Sequence, residues 1–152
     1  MDLLQGSVHQ DIEREIGDFV LFRADQVFAY HLACAVDDSA QGITHVVRGA
    51  DLMASTPRQI YLQRLLGLPT PEYLHLPIAL NAAGEKLSKQ TLASAVEPDR
   101  AAVILTDVLR FLKHSPPDEV CADGVSALWR WAVENWSRDR LPGVVSAGAP
   151  AA

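Results

Sequence analysis

Cysteine is scarce in this sequence. The 152 residues include two cysteines, Cys34 and Cys121, which lie far apart without a CxxC spacing or a Cys/His cluster beside either of them. This pattern favours reduced, buried thiols over a disulfide or a metal site.

Long apolar runs and targeting signals are also lacking. No apolar run approaches the roughly 18 residues needed to span a bilayer. The start, MDLLQGSVHQDIERE, has no basic region followed by an apolar stretch, so it does not resemble a secretory signal. We therefore expect a cytoplasmic protein with no membrane partner.

An excess of basic residues is absent as well. Thirteen Lys and Arg residues against nineteen Asp and Glu residues give a net charge of −6, which argues against broad electrostatic capture of nucleic acid. A local contact with a phosphate group remains open. With 49% hydrophobic and 21% charged residues, the composition predicts one soluble globular domain with a buried core.

The first eighty residues alternate between strand-like and helix-like segments. FVLFR (19–23) and VFAY (27–30) are β-prone and could form two strands joined by a tight turn. ITHVVRG (43–49) is typical of a strand buried on both faces. YLHLPIAL (73–80) predicts a strand made irregular by Pro77. With helices between them, these segments indicate an α/β fold built from βαβ units.

The segment STPRQIYLQRLLGLP has the signals of a helix start and stop. Thr56 fits the N-cap, Pro57 the first helical position, and Gln59 the last position of a capping box. Gly67 is expected to end the helix. An apolar side is predicted from Ile60, Leu62, Leu65 and Leu66.

After residue 91 the pattern becomes helical. The first apolar stripe comprises Ile104, Leu105, Val108, Leu109 and Leu112. SPPDE is expected to break it. The second stripe comprises Val125, Leu128, Trp129, Ala132, Val133 and Trp136. The final SAGAPAA predicts a frayed tail.

Three candidate binding positions follow predicted strands, where open parallel sheets place their ligands. They are Tyr30, Arg48, and the stretch NAAGEKLSKQT, which carries Lys86 and Lys89 around Ser88. Taken alone, each has a simpler explanation: Tyr30 as a core or rim aromatic, Arg48 as a surface arginine, and the lysines as part of a solvated loop. Residue type and spacing alone do not choose between these readings.

The order of the segments is more specific. VFAYHLACAVDDSAQGITHVVRGADLMASTPRQIYLQRLLG, followed by LHLPIALNAAGEKLSKQT, closely resembles the glutamyl branch of the class I aminoacyl-tRNA synthetases. KLSKQ (86–90) matches the lysine signature loop of that class, usually written KMSKS. The likeness runs from about residue 12 to 92 and continues more loosely through LWRWAVENW. It is strongest to short members that lack an anticodon-binding region.

The resemblance implies a domain layout. Residues 1–92 would be the C-terminal half of a Rossmann-type nucleotide-binding catalytic domain, with the KMSKS-like loop at 86–90. Residues 93–142 would form a small helical tail, and residues 143–152 a disordered tail.

The resemblance also implies roles for five residues. Tyr30 and Arg48 would contact L-glutamate, because a guanidinium offers paired donors to a carboxylate and a tyrosine hydroxyl adds a directed hydrogen bond. Lys89 and Lys86 would be catalytic and bind ATP, with Ser88 shaping the loop at the ATP site. When the glutamate carboxylate attacks the α-phosphate, charge moves onto pyrophosphate, and a mobile cation favours that transition state.

Metal ligands are less evident. ATP is the implied substrate, with Mg²⁺. Asp37 and Asp38 suggest a site for that ion, but a solvated or structural acidic pair is the simpler explanation, and no metal ligand is assigned. His31, His45 and His75 lack a partner spacing and are assigned no role. The zinc site that many of the short members carry is absent from this chain, since two distant cysteines do not make four ligands.

The likeness fails at one essential point. A complete class I synthetase has a HIGH-like motif that meets ATP at a helix N-terminus, and this sequence has none. Gln26 stands where glycine is common in the family, and Cys34 lies one turn beyond Tyr30. We expect the C-terminal half of an enzyme, inactive or nearly so alone. A separately encoded N-terminal half is one candidate partner, and a split, frameshifted or misassigned reading frame would also explain the missing part.

Three functions remain open. The leading hypothesis is ATP-dependent activation of glutamate and its transfer to queuosine of tRNA(Asp), a tRNA modification. An ordinary glutamyl-tRNA synthetase, cut short, would instead charge tRNA(Glu), but little sequence follows the lysine loop. A remnant or binding module would retain pocket residues without turnover.

Overall fold

The computed structural model describes residues 1–91, 93, 95–141 and 143–149. The chain divides into two compact units, Met1–Leu76 and a second unit that begins at Pro77. Since Leu92 lies outside the described residues, the predicted domain boundary at 92 remains a prediction.

The first unit contains the predicted βαβ arrangement. Strand β1 (His45–Gly49) and strand β2 (Glu72–Leu76) pair in parallel, and helix α2 (Thr56–Leu66) connects them. A 3₁₀ turn, Ala50–Ser55, leads from β1 into α2. In this register Arg48 stands opposite His75, so the crossover brings together two residues that are distant in sequence.

Helix α1 (Tyr30–Ala40) packs against α2, and a π-helical turn, Ile12–Ile16, precedes it. The two strands expected at 19–23 and 27–30 do not form. Phe22 and Phe28 make an isolated antiparallel bridge instead, across a turn with Gln26 at φ 65°. A single bridge is too short for a ladder, and Tyr30 is the first residue of α1 rather than the end of a strand.

Strand β1 is not buried on both faces as expected. The Val47 side chain is 60% exposed. Among the residues that the structure describes, β1 pairs only with β2, in a two-stranded sheet. Its β-branched sequence therefore fits a wider sheet than these residues provide.

The start of α2 also differs from the prediction. Ser55 precedes the helix without a side-chain cap, and Thr56 lies in the first turn, because the helix continues directly from the 3₁₀ turn. No capping box forms with Gln59. Gly67, at φ 65°, ends the helix as predicted.

The buried side of α2 is mostly polar, which contradicts the predicted apolar side. Leu65 and Leu66 are 64% and 51% exposed. Buried polar side chains need hydrogen-bond partners, and the site described below supplies several of them. The buried residues of α2 are Thr56, Gln59, Leu62 and Gln63.

The second unit holds the predicted helices. Its elements are strand β3 (Ile78–Leu80), helices α3 (Ala101–Phe111), α4 (Asp118–Ala122) and α5 (Val125–Asn135), and strand β4 (Ser146–Gly148). A short 3₁₀ turn precedes α3 (Pro98–Arg100) and another follows α5 (Arg138–Arg140). Pro77 separates β2 from β3, as expected from the sequence.

The core of the second unit is small. It is formed by Leu109, Leu128 and Ala132, from α3 and α5. The other half of the predicted α5 stripe faces solvent, with Trp129 57% and Val133 77% exposed. Both helices and the break at SPPDE are confirmed, but the apolar surface of α5 exceeds what the core covers.

Strand β4 overturns the prediction of disorder for residues 146–148. It pairs in parallel with β3, from Ile78 opposite Ser146 to Leu80 opposite Gly148. The Ala149 N–H also donates to the Leu80 carbonyl at 2.8 Å. Backbone hydrogen bonds form this strand, and the small side chains of Ser146–Gly148 are compatible with it. Pro142 and residues 150–152, also assigned to tails, lie outside the described residues.

None of the helices formed by the described residues has the length and apolar character needed to cross a membrane.

Candidate functional site

Arg48, near the carboxyl end of β1, lies at the centre of a polar network in the first unit. Its Nη2 donates to Thr56 Oγ1 and to Gln59 Oε1, both at 2.8 Å, and its Nε lies 3.1 Å from His75 Nε2. The guanidinium also lies over the Tyr73 ring, with Cζ 5.4 Å from the centroid. Nη1 takes no part in these hydrogen bonds.

Behind Arg48 lies a buried histidine–carboxylate pair. His75 Nδ1 and Asp2 Oδ2 are 2.6 Å apart, and the two side chains are 1% and 4% exposed. Asp2 Oδ1 accepts hydrogen bonds from the N–H groups of Leu4, Gln5 and His75. Burial raises the pKa of Asp2, but hydrogen bonds from Gln5, His75 and Leu4 outweigh it, so the pKa lies below its usual value of 3.8.

Tyr30, at the start of α1, lies in the same neighbourhood and is 49% exposed. Burial raises the pKa of its hydroxyl, and Cys34 raises it further, whereas the charge of Arg48 and the amide of Gln59 lower it. The structure therefore brings Tyr30 and Arg48 together around Gln59. Gln59 is 1% exposed, and its Nε2 has no hydrogen-bond partner among the described residues.

The floor of the network is aromatic. The rings of Tyr73 and His75 are stacked, with centroids 6.1 Å apart, and the Tyr73 hydroxyl accepts a hydrogen bond from Gln63 Nε2 at 3.2 Å. Burial raises the pKa of Tyr73, while Gln63 and Arg48 oppose that rise. A cavity of about 50 Å³ adjoins Asp2, Tyr73 and His75, which is room for a water molecule or two.

The lysine loop lies in the second unit and begins with a well-formed turn. Asn81 Oδ1 accepts hydrogen bonds from the N–H groups of Ala83 and Glu85, at 3.0 and 2.9 Å. Asn81 N–H donates to the Glu85 carbonyl at 2.8 Å, and Gly84 takes the positive φ of 80° that the turn requires. The turn fixes the direction from which Lys86 enters the loop.

Thr91 closes the loop at its other end. Its hydroxyl accepts a hydrogen bond from Ser88 N–H at 3.0 Å and donates to the Lys86 carbonyl at 2.9 Å. Ser88 Oγ lies 3.4 Å from Thr91 Oγ1. Lys86 and Lys89 are both exposed. Among the described residues after the loop, helical structure begins at the 3₁₀ turn Pro98–Arg100 and continues into α3 at Ala101.

No group of three or more His, Cys, Asp or Glu side chains that could hold a metal occurs in the described parts of the chain. Asp37 and Asp38, the acidic pair considered for Mg²⁺, lie near the end of α1. Cys34 and Cys121 are free thiols, half-buried rather than fully buried.

Sequence reasoning missed two kinds of residue in this network. Thr56 and Gln59 were read as helix-capping residues, because capping and side-chain networks use the same polar types. Nothing in the sequence near Asp2 indicates a role in the site. Only the pairing register of β1 with β2 places His75 beside Arg48, and a buried strand interrupted by a single histidine was the one available hint.

The sequence has close relatives among curated proteins. A family model described as class I tRNA synthetases (E and Q), catalytic domain, matches residues 1–112. The chain is 56% identical over 142 residues to a glutamyl-Q tRNA(Asp) synthetase of Dechloromonas aromatica, covering 93% of this chain and 47% of that protein. It is 50% identical over 151 residues to one of Aromatoleum aromaticum, covering 99% and 48%. The chain thus spans about half the length of the curated relatives it matches.

Solved structures give the same fold. The glutamate-tRNA synthetase of Elizabethkingia anophelis matches with a TM-score of 0.59 and 24% identity, over 87% of this chain and 30% of that one. A glutamate tRNA ligase from Elizabethkingia meningosepticum, in complex with its amino acid, matches with a TM-score of 0.58 and 24% identity, over 85% and 29%. The predicted α/β fold of a class I catalytic domain is confirmed.

Proposed function

Because the chain belongs to the family of class I tRNA synthetases (E and Q), we propose that it is part of an enzyme that activates L-glutamate with ATP. The activated glutamate is then transferred to queuosine of tRNA(Asp). The observation that carries this proposal is the 50–56% identity to proteins named glutamyl-Q tRNA(Asp) synthetase along 93% or more of the chain. The chain spans 47–48% of the length of those relatives, so we assign it a part of the enzyme and not the whole.

The first unit supplies part of the glutamate site. Arg48 is held at Nε and Nη2 by protein acceptors, so the substrate carboxylate binds at Nη1. The Tyr30 hydroxyl and the unpartnered Nε2 of the buried Gln59 add donors beside it. A fixed cation with neighbouring donors selects a carboxylate over an amide, because the amide cannot accept from all of them.

The lysine loop serves the phosphates. A carboxylate oxygen of glutamate attacks the α-phosphorus of ATP, and the bond from that phosphorus to the bridging oxygen of pyrophosphate breaks. Negative charge accumulates on the leaving pyrophosphate. Lys89, assisted by Lys86, stabilises that charge, while Ser88 and Thr91 fix the backbone between the two lysines.

This chain alone does not complete the reaction. The HIGH-bearing half of the nucleotide site comes from sequence that this chain does not contain, encoded upstream or as a separate chain. Purified alone, the chain therefore gives no glutamate-dependent exchange of pyrophosphate into ATP. Combined with that half, it supports the exchange and glutamylates tRNA(Asp) that carries queuosine, but not the same tRNA without the modified base.

A titration of the full chain with L-glutamate, followed by NMR, tests the first part of this proposal. We expect saturable shifts with L-glutamate and weaker ones with L-glutamine. Arg48→Met should remove them, and the exposed Arg64→Met should not. Equal binding of both amino acids, or binding that survives Arg48→Met, would contradict the assignment. Transfer to unmodified tRNA(Glu) by the combined halves would overturn the choice of acceptor.

A further inference from the structure

A line of three side chains runs from the interior of the first unit to the glutamate site. Asp2 Oδ2 lies 2.6 Å from His75 Nδ1, and His75 Nε2 lies 3.1 Å from Arg48 Nε. Asp2 and His75 are 6% and 1% exposed. Burying polar groups this deeply destabilises the fold unless each donor has an acceptor. This requirement constrains the positions of the protons along the line.

The ends of the line fix the tautomer of His75. Arg48 Nε carries a hydrogen and can only donate, so His75 Nε2 must present its lone pair. At the other end, the Asp2 carboxylate is an acceptor, which takes three backbone N–H groups on Oδ1. His75 Nδ1 must therefore carry the imidazole proton and donate it to Oδ2. Thr56 Oγ1 also lies 3.1 Å from His75 Nε2, and its hydroxyl can donate to that lone pair or to the Leu52 carbonyl. With this tautomer, each donor along the line faces an acceptor.

The same line fixes the orientation of Arg48. A guanidinium is planar, so acceptors on Nε and on Nη2 together set both its position and its plane. His75 supplies the first acceptor, and Thr56 and Gln59 supply the second. Without His75 as an acceptor, the guanidinium could rotate at the end of the Arg48 side chain, and the direction of Nη1 would no longer be fixed.

We propose that Asp2 and His75 are positioning residues of the glutamate site: Asp2 holds His75 in the Nδ1–H tautomer, whose Nε2 orients Arg48 toward the substrate carboxylate. The ligand in this statement rests on the proposed function, whereas the tautomer and its effect on Arg48 do not. A carboxylate, a neutral imidazole and a guanidinium thus form one unit, in which only Arg48 touches the substrate.

Asp2→Asn is the sharpest test. The Asn oxygen can keep the hydrogen bonds from the Leu4 and Gln5 N–H groups, which leaves its NH₂ group facing His75 Nδ1. Nδ1 must then accept, and the imidazole proton moves to Nε2, where it opposes the Arg48 Nε–H. We expect the tautomer to reverse and the affinity for L-glutamate to fall about 10- to 100-fold, as when a hydrogen bond to a charged group is lost. Asp25→Asn, an exposed carboxylate paired with Arg23 at 2.7 Å, is the matched control and should change neither.

Long-range ¹H–¹⁵N NMR of the histidine rings in the full chain reads the tautomer directly, with His75→Gln used to assign the signal. In the native chain we expect protonated Nδ1, unprotonated Nε2, and a scalar coupling between Arg48 Nε and His75 Nε2 across their hydrogen bond. These native measurements decide the proposal even if Asp2→Asn fails to fold.

A proton on His75 Nε2 in the native chain would overturn the proposal, and so would a folded Asp2→Asn that keeps the native tautomer and affinity. A variant that loses stability but keeps both would mean that Asp2 is merely structural. If the native chain shows the expected tautomer and coupling but binds no glutamate, the positioning of Arg48 is supported and the proposed function fails instead.

Discussion

Arg48 Nη2 lies 2.8 Å from Gln59 Oε1, although one residue is on a strand and the other is buried on the helix that follows it. This bond ties β1 to α2 and leaves the amide nitrogen of Gln59 directed away from Arg48. A single glutamine therefore orients the cation and, in the proposed glutamate site, offers a donor of its own.

Gln59→Met should weaken glutamate binding more than it weakens the fold. Methionine fills a similar volume but removes one acceptor of Arg48 and the unpartnered donor. We expect a loss of about 1–3 kcal/mol in binding free energy, measured by titration with L-glutamate. Gln41→Met, at an exposed position after α1, should leave binding unchanged. Equal losses of glutamate affinity in the two variants would show that Gln59 does not contribute to the site.

Lys89→Met should abolish catalysis without disturbing glutamate binding. The side chain is exposed, so its removal costs little stability. We expect pyrophosphate exchange by the combined halves to fall by about 100- to 1000-fold, as when one stabiliser of transition-state charge is lost. Lys113→Met, outside the loop, should retain the native rate. A parallel loss of glutamate affinity in Lys89→Met would contradict a role confined to the phosphates.

Thr91→Val should loosen the lysine loop. The change keeps the shape of the side chain but removes the acceptor of Ser88 N–H and the donor to the Lys86 carbonyl. One lost hydrogen bond corresponds to about 1 kcal/mol, and hence to about fivefold faster amide hydrogen exchange at Ser88. Thr70→Val, at an exposed position, serves as the control. Unchanged exchange at Ser88 would show that the turn at Asn81 holds the loop by itself.

Acid should weaken the first unit through Asp2. Because the pKa of Asp2 in the folded chain is lowered from 3.8, its carboxylate stabilises the fold above that value, and this contribution is lost as the pH falls through the lowered pKa. Urea unfolding between about pH 6 and pH 2.5 should show native and Asp2→Asn stabilities converging at the acid end. Asp25→Asn should run nearly parallel to the native chain. A constant gap between native and Asp2→Asn would contradict the lowered pKa.

Leu128→Ala should unfold the second unit far more readily than Val133→Ala. Leu128 is completely buried in a small core, whereas Val133 on the same helix is 77% exposed. Truncating the leucine should cost about 2–5 kcal/mol, and truncating the valine about 0.5 kcal/mol or less. Thermal unfolding followed by tryptophan fluorescence compares the two. Similar losses would mean that the outer face of α5 is also packed.

Local signals predicted much of the fold. Gly67 ends α2 because a left-handed residue is needed there, and Pro77 interrupts the strand run because it has no N–H to donate. The parallel pairing of β1 and β2 followed from the alternation of strands and helices. These features depend on a few neighbouring residues, and sequence shows them directly.

The remaining features depend on distant pairing. His75 belongs to the site only through its register with Arg48, and Asp2 only through a contact with a strand near the other end of the unit. The residues 146–148 have no β-branched side chain to indicate a strand. Where a partner lies far along the chain, the local pattern carries little information about it.

The pairing of β3 with β4 has a consequence for how the protein is made. During synthesis, Ile78–Leu80 leaves the ribosome long before Ser146–Gly148 has been translated, so β3 waits with an open edge while the lysine loop and three helices emerge. A ribosome that stalls in that interval holds an unpaired strand beside a partly folded helical unit. Chaperone dependence should therefore concentrate in the interval between the translation of these two strands.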